Sequence, residues 1–552
     1  MTRQPVVTDV TDLPGEKVGK NAALISGITM LSRIAGLGRI LVLTWAVGMG
    51  GVLDVYNTAN RVPNILYEIA AGGALAALVV PLLAAPLARR QPEVVNRTAS
   101  GLLTWSVLLL VPMGVLVAVL AEPVMRLLAG DAPDAEIAMG TRMIQVFAPQ
   151  LPLYGIGVVL TGVLHTHRRF AWPALAPLLS SLTVIAAYVV YGLVAPQGAD
   201  AAQVSLGQEL VLSIGTTLAT VVMTFCLLIP LRRVGIRLRP TLRFGGGDVT
   251  RNVRTMAVAG GLSIAAWQLS LLLILGLTNG GLKGTVGLFS IALTLYMLPW
   301  GVFAMPLALS SYPALAEAHG VGDRERYDTT LSTATRRVVL LAFLGAAALI
   351  GLAVPLATVF AEVGGTADVD PGLAVVPAMS AALVALAPGL VGFSLYPLLT
   401  RALYARGATV AAAVATVGGW AVAYVAAIVC SVVMPVADRA LAVGVGNSVG
   451  MVVLGAALAA TVAWRAGRAS LTGVWRAALV GVVSSAVSAA AGWWVSSLFG
   501  ASMGLPVAVV ALAASGLTVL LVFGAVAFLV DRRDMRPLVG SVAGRLFRRR
   551  SG

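Results

Sequence analysis

Two arginines, Arg33 and Arg39, stand inside the apolar stretch NAALISGITMLSRIAGLGRILVLTWAVG, and a third, Arg61, follows in the next one. An arginine near the centre of a bilayer costs about 2.5–3.5 kcal/mol on insertion scales, so each must face a watery cavity or a counter-charge. A guanidinium stays charged and presents a planar fork suited to phosphate oxygens, so two or three of them around one cavity would make a pyrophosphate clamp. The competing reading is structural: Arg33 or Arg39 pairs with Asp54 or Glu68, or reaches an interface, and locks the first helix to the second. Arg33 and Arg39 are six positions apart, about 600° around an ideal helix, so they point to different sides unless Gly36 and Gly38 distort it. Asp54 and Glu68 are candidate gating partners that exchange cations as the protein opens and closes; a fixed salt bridge is the alternative. Asn57, Asn60 and Asn64, spaced at three and four, form a polar stripe that serves either interhelical hydrogen bonding or a cavity wall. The candidate substrate-binding set is Arg33, Arg39, Arg61 and Asn64.

Little else in the chain suggests chemistry. His165 and His167 adjoin Arg168 and Arg169 in a turn and His319 lies in a loop, so no metal site is expected. Cys226 and Cys430 each sit in an apolar run, which suits packing rather than a disulfide or redox pair. No GxxxxGK[ST] loop is present and no segment is long enough for a nucleotide-binding domain. No Ser/His/Asp set supports a membrane hydrolase. No cofactor is expected. Pro63, Pro81, Pro299, Pro306 and Pro313 would bend their helices, freeing carbonyls that a cavity or a neighbouring helix must satisfy.

The elements that would position these residues follow from composition. Of 552 residues, 59% are hydrophobic and only 11% charged, against about 25% charged in soluble domains. Apolar stretches near 22–46, 58–86, 99–121, 141–164, 171–194, 209–231, 255–278 and 285–314, then 336–360, 373–400, 408–434, 440–464, 476–499 and 503–530, predict fourteen transmembrane helices. The formal charge of +15 is therefore read as topology and contact with anionic membrane lipids, not nucleic acid. Basic residues collect in alternate loops, at Arg89/Arg90/Arg97, Arg168/Arg169, Arg232 to Arg254, Arg324/Arg326/Arg336/Arg337, Arg401/Arg406, Arg465/Arg468/Arg476 and Arg545/Arg548/Arg549/Arg550. The opposite loops are neutral or acidic except for Arg126, Lys283 and Arg439. Positive-inside logic then places the protein in the cytoplasmic membrane with both termini cytoplasmic.

The longest basic loop separates two sets of six spans that both start from the cytoplasm, the pattern of parallel repeats rocking around a central site. RVPNILYEIAAGGALAALVVPLL in span 2 and YMLPWGVFAMPLALSSYPAL in span 8 share paired prolines with small residues between, and the turns GVLHTHRRFAWPALAP and TRALYARGATVAAAVA share a basic elbow. The expected organisation is a tail at 1–21, a first lobe at 22–234, a basic linker at 235–254, a second lobe at 255–465, two further helices within 466–530 and a basic tail at 531–552. The fold class is all-α and polytopic, with two pseudo-symmetric six-helix lobes and two C-terminal helices.

The segment from Leu31 to Leu83, LSRIAGLGRILVLTWAVGMGGVLDVYNTANRVPNILYEIAAGGALAALVVPLL, resembles the N-terminal signature of the MurJ/MviN family, the lipid II flippases of the MOP exporter superfamily. GVLHTHRRFAWPALAPLL is similar to that family's helix 4/5 turn, LPWGVFAMPLALSSYPALAEA to its helix 8 and RALYARGAT to its turn after helix 10. The resemblance implies a V-shaped pair of lobes with helices 1, 2, 7 and 8 around a cavity, and helices 13 and 14 forming a groove for a lipid tail. It matches Arg33, Arg39 and Asp54 to the family's two helix 1 arginines and helix 2 acid, and Arg61 to a position that is often basic. Tyr67 and Thr294 stand where many members have arginine, and the turn after Tyr404 lacks the usual Asp-Thr. NxxPNxxYE and LPWG resemble the actinobacterial branch, some of whose members carry a kinase-like extension; this chain ends at residue 552, shortly after the last span.

The function expected from this resemblance is translocation of lipid II, the polyprenyl-pyrophosphate-linked peptidoglycan precursor, by alternating access. Arg33, Arg39 and Arg61 would hold the head group, and Asp54 would hold or release an arginine. Coupling to an ion or to the membrane potential is physically available, and cell-wall synthesis or division proteins are possible partners. The alternatives are another MOP-type exporter of a polyprenyl-linked glycan or drug, and a non-transporting scaffold for cell-wall enzymes. A drug exporter would carry an acidic cavity, whereas the first helix here is basic.

Overall fold

A computed structural model describes residues 15–68, 83, 91–167, 169, 171–196, 198–234, 238–242, 251–500 and 503–530. Most of the second half of span 2 with Pro81, the cations Arg89, Arg90 and Arg168, most of the linker and both tails lie outside the described residues. Among the described residues the regular structure is helical, without strands. The first half contains α1 (Gly15–Val47), α2 (Gly51–Tyr67), α3 (Pro92–Val119), α4 (Ala121–Ala129), α5 (Asp134–Phe147), α6 (Gln150–Thr166), α7 (Ala171–Val194), α8 (Leu206–Phe225) and α9 (Leu228–Val234). The second contains α10 (Arg251–Asn279), α11 (Thr285–Pro299), a π-helical turn (Trp300–Ala304), α12 (Met305–Gly320), α13 (Arg324–Gly351), α14 (Ala353–Gly364), α15 (Val375–Leu386), α16 (Gly389–Ala405), α17 (Thr409–Val433) and α18 (Arg439–Ala466). Then come α19 (Val474–Ser497) and α20 (Leu505–Val530).

Ten helices among the described residues are long and apolar enough to cross a membrane, and α15 with α16, bent by 44° at their joint, makes an eleventh. The predicted spans 1, 2 and 7 are not among these. The described part of span 2 stops at Glu68, and the strongly apolar part of span 7 is the short piece Ile264–Asn279.

Proline decides where several spans break. Pro149 parts α5 from α6, and Pro388 parts α15 from α16, because each lacks the N–H that a continuing helix needs. In span 8, Pro299 ends α11 and Pro306 opens α12, and the wider π turn lies between them. Span 9 differs from the expectation of a loop at Arg324–Arg337 followed by a helix. Asp323 accepts the Arg326 N–H at 2.9 Å and caps α13, and Glu325 in its first turn favours the helix N-terminus, so the four arginines ride on the helix itself.

Most of the helix packing lies within each half of the chain. Within the first half α1 lies on α7, α7 on α8, α3 on α6 and α2 on α5. Within the second, α18 packs on α16 and α17, α10 on α17 and α12 on α16, while α19 and α20 pair with each other and lie on α13. The halves meet through α1 on α14 and α2 on α10 and α11. One buried cluster crosses that seam, from Tyr56 and Phe147 to Leu288 and Phe393. In lipid such packing relies on dispersion and interhelical hydrogen bonds, because burial from lipid gains no hydrophobic energy.

Candidate functional site

Between the halves lies a cavity of 340 Å³. Helix α1 contributes Arg39 and Thr44, and α2 contributes Tyr56, Asn57, Asn60, Arg61 and Asn64. Tyr154 enters from α6, Ser180 and Tyr188 from α7, Thr216 and Thr220 from α8, and Ser290 and Thr294 from α11. Among the described residues no carboxylate is part of this lining. Arg39 and Arg61 form no ion pair with another described residue, so the cavity holds two cations among amides and hydroxyls. Such a wall favours an anion with many hydrogen-bonding groups.

The predicted set is only partly brought together. Arg39, Arg61 and Asn64 share the cavity. Arg33 does not line it, although α1 runs unbroken through Gly36 and Gly38. The ordinary helical turn therefore separates the two arginines. Arg33 instead lies over Gly301 in the π turn of the other half, where an added Cβ would collide with its guanidinium. The asparagine stripe does both things expected of it. All three residues face the cavity, and Asn64 also donates to the Asn60 carbonyl at 2.8 Å and accepts from the Tyr154 hydroxyl at 3.0 Å.

Asp54 sits beyond the cavity, 8% exposed, at the seam between α2 and α11. It was expected to hold an arginine; here its two oxygens accept the Gly284 N–H at 2.7 Å and the Gly287 N–H at 2.6 Å. The physical reason lies in α11. Its N-cap is Gly284, which has no side chain to accept the orphan amides, so the acid of the other half supplies the cap and meets the positive end of the helix dipole. Glu68 lies at the far end of α2, outside the cavity lining, and forms no ion pair with a described cation.

Sequence reasoning missed the tyrosine wall. The Tyr56 hydroxyl meets that of Tyr188 at 2.6 Å and Thr216 Oγ1 at 2.9 Å, and Tyr154 packs against Tyr67 with ring centroids 4.5 Å apart. Tyr67 thus lines a second space of 410 Å³ that also reaches His165 and Met223, not the central cavity. Thr294 does face the cavity, its hydroxyl turned back to the Ser290 carbonyl at 2.8 Å. Polar residues recurring inside apolar spans were the available signal for this wall. The buried Glu209, held by Arg142 through Nη2 at 2.6 Å and Nε at 3.1 Å, gave the same kind of signal and fastens α5 to α8.

A family model described as "Lipid II flippase MurJ" matches residues 44–513. Lipid II flippase MurJ of Burkholderia cenocepacia is 28% identical over 392 residues, covering 69% of this chain and 72% of that protein. The probable lipid II flippase MurJ of Haemophilus influenzae is 26% identical over 398 residues, 69% of this chain and 74% of its own. Among solved structures, "Lipid II flippase MurJ, inward closed conformation" superposes with a TM-score of 0.69 at 18% identity, over 92% of this chain and 99% of that one. An inward-facing multidrug resistance MATE family transporter of the MOP superfamily superposes at 0.61 and 16% identity, over 82% and 99%. These structures share the fold.

Proposed function

The chain belongs to the lipid II flippase MurJ family, and from that premise we propose that it carries lipid II across the cytoplasmic membrane by alternating access, with the head group in the cavity between the halves. The observation that carries the reading is the pair Arg39 and Arg61, two cations without carboxylate partners among the described residues, in a wall of amides and hydroxyls. The pyrophosphate neutralises the two guanidiniums, and the sugars meet Asn57, Asn60, Asn64 and the tyrosine hydroxyls. A cationic drug would find no acid among the described residues of this lining, which disfavours a drug exporter.

The remaining roles belong to the same proposal. Arg33, set against Gly301, couples the first helix to the bend of span 8, so movement of one half is felt by the other. Glu68 stays a gating partner for conformations in which its end of α2 closes. The loops bearing Lys283 and Asp368 face outward, the arginine-rich loops and both tails lie in the cytoplasm beside anionic lipids, and α19 with α20 guides the lipid tail. Each charge that crosses a 100 mV potential contributes about 2.3 kcal/mol, enough to bias the cycle.

The test is depletion of the protein in its host, with labelling of lipid II exposed on the outer leaflet and two rescue forms: Arg39→Ala, and a truncation before Arg545. Loss of outer lipid II on depletion, restored by the truncation and not by Arg39→Ala, is the expected result. Unchanged outer lipid II in depleted cells that hold no second flippase overturns the proposal. A scaffold acting through its basic tail predicts the reverse rescue.

A further inference from the structure

Beyond the cavity, on the side where Asp54 lies, a second set of charges joins the halves. Lys283, one of the three cations that break the charge pattern on this side, lies in the turn between α10 and α11. Its Nζ contacts Asp368 Oδ1 at 2.5 Å, in the loop between α14 and α15, and also Asp200, in the loop between α7 and α8. The other oxygen of Asp368 accepts the Gly51 N–H at 2.9 Å, at the first residue of α2. The N-cap of α2 is Gly50, which brings no capping side chain of its own. A Cβ on Gly50 would run into Asp368, so only glycine lets the two loops close over this turn.

The arrangement mirrors the one at α11. Asp54 of the first half caps the second half's α11, and Asp368 of the second half caps the first half's α2. These are the helices that begin spans 8 and 2, the two the sequence pairs as repeats. Each helix lacks a cap of its own and takes one from across the seam, so separating the halves at this end leaves orphan amides on both. The wall here is rich in acids. Asp54, Glu136 and Asp368 lie near enough to feel one another's charge, as do Glu136 and Asp200, and Lys283 is the cation among them. Its removal would both cut the link to Asp200 and leave carboxylates facing each other unscreened.

We infer that Lys283 and Asp368 are gate-holding residues of the transport cycle: by bridging Asp200 and capping α2 they keep this end shut, and release of Lys283 from Asp200 is a step of opening. The inference rests on the transport reading above. Its occupants are all protein groups, so the gate is readable without substrate.

The experiment places spin labels at Ala202 and Thr366, exposed positions on the two facing loops, in the full chain in nanodiscs with Cys226→Ser and Cys430→Ser. Pulsed dipolar distances then report the closed and separated populations. Lys283→Met is expected to raise the separated population about tenfold, Asp200→Asn several-fold, and the double variant no further than Lys283→Met alone, since both remove the same link. Lys283→Arg keeps the closed distance. Asp200 is 51% exposed, so Asp200→Asn leaves folding intact and serves if Lys283→Met does not accumulate. An unchanged distance distribution in both Lys283→Met and Asp200→Asn overturns the inference. If the distances shift as stated while the unaltered protein moves no lipid II, the gate stands and the transport reading falls.

Discussion

Asp54 accepts two backbone amides with two oxygens, and no neutral side chain of its size does that. In Asp54→Asn the carbonyl oxygen keeps one amide while the NH₂ group turns donors toward the other. Hydrogen bonds to a charged acceptor contribute about 1.5–3 kcal/mol, so Asp54→Asn should lower the closed-to-separated ratio by about tenfold or more. The Ala202–Thr366 distance checks this, and an unchanged melting curve shows that the fold survives. Arg39 gives a complementary prediction. Arg39→Lys keeps the charge and loses the planar fork, so transport of lipid II in reconstituted vesicles should fall partway, and Arg39→Ala should abolish it. Equal activity of the two variants would mean that charge alone matters there. At this scale the sequence was informative about residue type and silent about partners. Arg39, Arg61 and Asn64 stood out because polar groups in apolar helices need a reason. That Asp54 answers backbone amides could not be read, because the cap it supplies is missing from a helix more than two hundred residues away.

Among the elements, span 8 shows how far local chemistry reaches. Its three prolines predict a bent helix, and the bend is there; the π turn that accommodates it depends on what packs against Trp300–Ala304, which pattern does not reveal. The extension of α13 down to Arg324 was legible in principle from Asp323 and Glu325, and was obscured by reading four arginines as loop. Gly301 is the position where this element can be tested. An alanine there meets the tip of a flexible side chain, so Gly301→Ala should displace Arg33 and leave the helix intact. The expected result is a change in melting temperature of a degree or two at most and a several-fold loss of transport, with Arg33→Ala giving a similar loss. If Gly301→Ala transports normally while Arg33→Ala does not, Arg33 acts elsewhere than at the π turn.

For the whole molecule, the charge pattern along the chain and its exceptions have one explanation. Arg126 pairs with Glu122 at 3.0 Å and lies 3.7 Å from Asp134, Arg439 reaches the carbonyls of Ser431 and Gly280, and Lys283 holds Asp200 and Asp368. Cations on the acidic side are thus taken up by local acceptors, and Lys283 alone of the three joins the two halves by an ion pair, to Asp200. Its gate should respond to pH in a definite way. The hydrogen bond from Lys283 holds the Asp200 carboxyl below the usual range, so its contribution is present above an ordinary carboxyl pKa of about 3.9 and is lost only as pH falls through a lower value. Burial pulls Lys283 down, but its bonds to Asp200 and Asp368 outweigh that and hold it above the usual amine range, so its charge is lost only well into alkali. Asp368 differs: burial pushes its carboxyl up despite the bonds from Lys283 and Gly51, and the nearby Glu136, Asp54 and Asp200 add no positive charge to oppose this. On acidification Asp368 therefore gives up its charge toward Lys283 at a pH above the ordinary carboxyl value. The closed population should fall on acidification, and Asp368 should contribute one step of that fall. Asp368→Asn should remove that step, and Asp200→Asn should lower the closed fraction without shifting it. An acid profile unchanged in Asp368→Asn would assign the titration to the other facing acids and leave Asp368 as a cap only.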